Sequence, residues 1–175
     1  MRENQLTAED GYRALREHVV ERARSARARY GPAIDASAIA RMLADPEVVR
    51  FPTRLVFDSA PLLPGEFAHA LALGERPSDG FALVVHPSLE LDAGELPLAV
   101  AYHLVSINYL DVVTAHEAEL FGATLLGLTL DEYYARLCSL ADRLAAPDCG
   151  SSPAAAAASA CACGRGGGGS CGKES

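Results

Sequence analysis

The chain has 175 residues, half of them apolar, and a formal net charge of −8. That is one domain's worth of sequence with enough apolar surface for a real core. The negative charge argues against general binding to nucleic-acid phosphates, which draws on Lys and Arg, and against adsorption to anionic membrane surfaces.

No stretch is long and apolar enough to span a bilayer. The N-terminal MRENQLTAEDGYRALREHVV carries charges throughout and has no apolar h-region, so no secretory signal is expected and the expected compartment is the cytoplasm. Five cysteines is an odd number, which does not suit a disulfide framework.

Thr7-Ala8-Glu9-Asp10 places a hydroxyl at a helix N-cap and acids in the first turn. The predicted helix runs to about Arg29 and is stopped by Gly31-Pro32. Tyr12, Leu15, Val19, Ala23, Ala26 and Tyr30 recur at helical spacing as its apolar stripe. Its arginines (Arg13, Arg16, Arg22, Arg24, Arg27, Arg29) interleave with Glu17 and Glu21. Such a face is either solvated or a docking face for an acidic partner protein.

A short helix is expected from about Ser37 to Ala44, capped by Asp35 or Ser37, with Ile39, Met42 and Leu43 inward. Asp45-Pro46-Glu47 reads as a turn. Thr53 to Phe57 is a strand candidate behind Pro52. Ala60 to Ala72 is broken by Pro61, Pro64 and Gly65 and reads as a loop leading into an irregular or extended piece. Gly74 to Gly80 is turn-rich. Phe81 to His86 is a continuous apolar run between turn signals, which predicts a central strand ended by Pro87.

Three helices in quick succession follow, over about Pro97–Tyr109, Ala115–Leu126 and Thr129–Leu144, with Pro97 in the first turn of the first. From about Ala146 no large apolar residue remains, so ordering the chain would cost more entropy than burial returns. The expected architecture is an α+β domain over residues 1–146, with two or three strands packed by helices, and a disordered Ala/Gly/Cys-rich tail over 147–175.

The chemistry-bearing residues fall into four groups. His103, His116, Glu117 and Glu119 are candidate metal ligands. His116 and Glu119 share a helix face at i,i+3, and His103 with a carboxylate of the next helix could complete a set. The plainer reading makes His103 a core histidine and the two acids helix-dipole charges.

Cys161, Cys163 and Cys171, with Cys149 upstream, offer soft thiolates suited to zinc or copper among backbone-permissive glycines. Their spacing matches no structural zinc pattern, so incidental cysteines, redox exchange or lipidation are the alternatives. Cys138 is either a small buried hydrophobe or a nucleophile served by His103 or His116.

Tyr102, Tyr109, Tyr133 and Tyr134 read as aromatics at the core's edge, and Asn108 as a partner for a neighbouring loop. Glu66, His69 and His86 lie around the strands and could share a cleft with His103. Neither Gly-x-x-x-x-Gly-Lys nor Gly-x-Gly-x-x-Gly occurs, and the run Gly166 to Gly169 lies between no strand and helix.

The phrases FPTRLVFDSAPLLPGEFAHA, ERPSDGFALVVHPSLE, INYLDVVTAHEAELFGATLLGL and DEYYARLCSLAD resemble a group of small bacterial proteins with no assigned activity. The run Glu117 to Leu126, behind a strand and a helix, is also similar to the third-ligand helix of short zincin metallopeptidases. That resemblance implies a zincin-like scaffold. The preceding helix departs from the family, because His103 is followed by no Glu and no second His, so the resemblance does not carry peptidase chemistry. The first functional expectation is a non-catalytic accessory or interaction protein. The others are a metal-binding or metal-delivery protein using the tail, and a hydrolase built on His103 with Glu117 or Glu119.

Overall fold

The structure is a computed structural model that describes residues 7–145. The tail over 147–175, with Cys149, Cys161, Cys163 and Cys171, lies outside the described residues.

Helix α1 (Ala8–Tyr30) starts with a reciprocal cap. The Asp10 amide donates to Thr7 Oγ1 at 3.2 Å, and the Thr7 amide donates to Asp10 Oδ2 at 3.0 Å. Gly31 ends the helix at φ 98°. Val19, Ala23 and Ala26 are its buried residues, and two alanines in that stripe let α1 lie close against a later helix, α4 (Ala115–Leu126). Tyr12 belongs to the same stripe in sequence yet is 58 % exposed. The reason is length: α1 spans about 34 Å and α4 about 18 Å at 1.5 Å per residue, so the first turns of α1 overhang their support.

Asp35 caps α2 (Ala36–Leu43) by accepting from the Ala38 amide at 2.7 Å, and Ala38, Ile39 and Met42 turn into the core. Three strands follow: β1 (Thr53–Phe57), β2 (Ala68–Ala72) and β3 (Phe81–Val85), in the order β1-β3-β2. β3 is parallel to β1 and antiparallel to β2, with Leu83 between Leu55 and Ala70. It is buried along its whole length, as its unbroken apolar run predicts.

The extended piece expected before Ala72 is therefore a full edge strand. Its alanines have weak strand propensity, and pairing with β3 supplies what the side chains do not. Between β2 and β3 the chain needs Gly80, at φ 92°, because a Cβ there would lie 2.6 Å from the Pro52 carbonyl oxygen.

Helix α3 (Glu95–Tyr109) is the hub. It packs against α2, β2, β3, α4 and α5 (Leu130–Ala145) and buries residues on all sides. It begins two residues before Pro97 because Asp92 accepts from the amides of Gly94 and Glu95, both at 2.9 Å. Asn108 ties a neighbouring loop, as its place in an apolar helix suggests. Its Oδ1 accepts from the Arg50 amide and its Nδ2 donates to the Val48 carbonyl, both at 2.8 Å.

α4 ends at Gly127 in the left-handed region, φ 69°. Gly122 of α4 leaves the space that the ring of Tyr133 fills, since a Cβ there would sit 2.1 Å from Tyr133 Cζ. The Tyr133 hydroxyl donates to the Leu98 carbonyl at 2.8 Å, which pins α5 to α3. The fold is α+β, a small mixed sheet packed by helices, and no helix among the described residues is long and apolar enough to cross a membrane.

Candidate functional site

The polar residues of α3 sit where an otherwise apolar helix meets open space. Tyr102 and His103 face a recess of about 350 Å³ between the segment entering β2, α4 and α5. Glu66 stands on one side, Glu119 of α4 on another, and Tyr134 and Cys138 of α5 on a third. Tyr134 and Cys138 share a helix face through their i,i+4 spacing. The segment entering β2 is held close to α5 at Gly65, at φ 82°, where a Cβ would meet Ala145 Cβ at 3.2 Å.

His103 is boxed by aromatic rings. The Phe67 ring lies 5.7 Å from it and the Tyr102 ring 5.3 Å, both near edge-on, and Phe67 meets Tyr102 at 5.9 Å. Its Nε2 is buried and has no hydrogen-bond partner among the described residues. Burial first, then the nearby His69, push its pKa down to about 4, against a weaker opposing pull from Glu66. The imidazole is therefore neutral at pH 7.

Glu66 is held by its surroundings, with Oε2 accepting from the Leu63 amide at 2.9 Å and Oε1 lying 3.2 Å from His69 Nδ1. The neighbouring Cys138 raises the Tyr134 phenol, and burial followed by Glu119 raises that of Tyr102. Both remain neutral donors at pH 7. The arrangement offers one buried neutral nitrogen, phenol hydroxyls and an apolar floor. That is hydrogen-bonding chemistry within an apolar pocket.

The metal candidates separate. His103 and Glu119 line the recess, whereas His116 is exposed on the first turn of α4. Glu117 is 2 % exposed and points elsewhere. It accepts from the Thr114 amide at 2.9 Å and from the Thr114 hydroxyl, and Arg16 Nε donates to its Oε1 at 3.0 Å. Burial raises its pKa, but the bonds from Thr114 and Arg16 outweigh burial and hold it at about 2. It caps α4 and ties α4 to α1. Among the described residues no group of three or more His, Cys, Asp or Glu side chains could hold a metal ion.

Cys138 is exposed rather than buried, and no hydrogen bond joins it to His103. Of the four residues expected to share a cleft, Glu66 and His103 line the recess. His69 adjoins through Glu66, and His86 caps a separate turn, its Nδ1 accepting from the Ser88 amide at 3.3 Å. Phe67 is the part that sequence reasoning missed. It looks like any aromatic beside a strand, and only the pairing of β2 with β3 carries it over the imidazole.

No protein-family model, curated protein or solved structure matches the chain.

Proposed function

We propose that the chain is a non-catalytic accessory protein that binds a small, uncharged, largely apolar ligand in the recess beside His103. A hydroxyl or amide of the ligand would pair with the free Nε2. One observation carries the reading: a buried, neutral imidazole nitrogen with no partner among the described residues, on a side chain that lines an apolar-floored pocket. A buried polar atom left unpaired costs about 1–3 kcal/mol, and a ligand group that pairs with it recovers much of that. A general base needs its nucleophile or a third, orienting group within hydrogen-bond reach, and among the described residues His103 Nε2 has neither. In this reading the zincin-like order of β3, α3 and α4 persists as a scaffold without the peptidase ligands.

The test is a titration of the purified full chain with benzyl alcohol and benzamide, followed by backbone and imidazole NMR. Saturable shifts at Phe67, His103 and Cys138, lost in His103→Leu while the fold persists, support the reading. Turnover of generic ester or peptide substrates that disappears in His103→Leu would overturn it in favour of a hydrolase.

A further inference from the structure

A second cavity lies on another face, between α1, the 46–50 loop and the C-terminal end of α3. Its volume is about 270 Å³. Arg22, Arg50, His18, Asn108 and Tyr109 line it, and no lining residue among those described is acidic. That is unexpected in a chain of net charge −8.

Five arginines elsewhere, Arg13, Arg16, Arg24, Arg29 and Arg143, have a carboxylate within 4 Å. Arg22 and Arg50 belong with Arg27, Arg41, Arg54, Arg76 and Arg136 among those that have none among the described residues. Arg22 is half-buried and gives one donor to the Glu47 carbonyl, which fixes its direction and leaves its other donors unassigned. The Arg50 guanidinium lies over the Phe51 ring, 5.1 Å from its centre. Asn108 sets the position of Arg50 by spending both ends of its amide on that loop, on the Arg50 amide and the Val48 carbonyl. The His18 ring meets Tyr109 edge-on at 5.8 Å.

We propose that this cavity binds a small free oxyanion, a phosphate or phosphomonoester group held between the guanidinium groups of Arg22 and Arg50. Two guanidinium forks match the charge and the several oxygens of such a dianion, and each presents donors in the fixed plane that phosphate oxygens accept. Tyr109 and His18 supply further polar groups at the wall. The volume lies at the small end of ligand pockets, which suits the anion with a short organic group rather than a polymer. The site is separate from the His103 recess, and its test is independent of that reading.

The test is calorimetric titration of the full chain with inorganic phosphate and phenyl phosphate in a phosphate-free, low-chloride buffer. Saturable binding should weaken about tenfold or more in Arg22→Gln and in Arg50→Gln, because each removes a charge-assisted contact. Arg54→Gln, an exposed arginine on β1, should leave binding unchanged. Thermal unfolding of each variant checks the fold. Arg50→Gln decides the matter if Arg22→Gln unfolds, because no hydrogen bond among the described residues depends on the Arg50 side chain. Absence of saturable binding to either anion, or an equal loss in Arg54→Gln, would overturn the proposal. So would sedimentation with phosphatidate vesicles without binding of the soluble anions, since the phosphate would then belong to a lipid surface.

Discussion

Glu117 and His103 are both polar groups placed against the core, and the chain treats them in opposite ways. Glu117 is fully bonded. Replacing it with Gln removes the charge that Arg16 and Thr114 answer, and should cost about 1–3 kcal/mol, read as a lower denaturant midpoint with unchanged slope. A change smaller than the fitting error would show that the cap and bridge are decorative. His103 Nε2 is unpaired among the described residues, so His103→Leu removes a buried unpaired nitrogen at similar volume. That variant should be as stable as the parent or up to about 1 kcal/mol more stable, which would separate a ligand role from a structural one. The role of Glu117 was half legible. Thr114-x-x-Glu117 ahead of an apolar run is a capping-box signature, but its other partner, Arg16, lies 101 residues away and only the packing of α1 on α4 reveals it.

Helix boundaries could be read because their signals are local. Thr7, Gly31, Asp35 and Gly127 act through backbone groups within a turn of themselves. Which helix touches which, and through what residue, could not be read, as Gly122 shows. In sequence it is one more small residue in a helix, but in the fold it is the space occupied by Tyr133. Gly122→Ala should therefore destabilise by about 1–3 kcal/mol through overpacking, although alanine is the better helix former. Tyr133→Phe keeps the ring and loses only the bond to the Leu98 carbonyl, so about 1 kcal/mol is expected. Equilibrium unfolding of the two variants should rank them in that order. A stabilised Gly122→Ala would mean that α5 packs against α4 differently.

At the scale of the molecule, the α+β class was visible in the change from helical to strand periodicity and back. The recess was not, because Glu66, His103, Glu119 and Cys138 come from four separate segments. The same assembly sets the response of the whole chain to acid. The pKa of His103 is about 4 in the fold against 6.5 for a free imidazole. Between those pH values the unfolded chain binds a proton that the native state refuses, so stability falls as pH drops from 6.5 towards 4, by at most about 3 kcal/mol. Glu117 acts lower, its pKa falling from 4.5 to about 2 on folding. It contributes fully above 4.5 and progressively less as pH falls to 2. Asp45, also held at about 2 by Tyr30 and then Arg29, acts in the same direction. Two acid windows should therefore appear in a plot of unfolding free energy against pH. His103→Leu should flatten the upper window and leave the lower one, and Glu117→Gln should make the lower one shallower, where Asp45 still acts, and leave the upper one. A parent chain whose stability is flat from pH 6.5 to 4.5 would show that the imidazole accepts its proton freely in the fold, and the sheltered environment inferred for Nε2 would then be wrong.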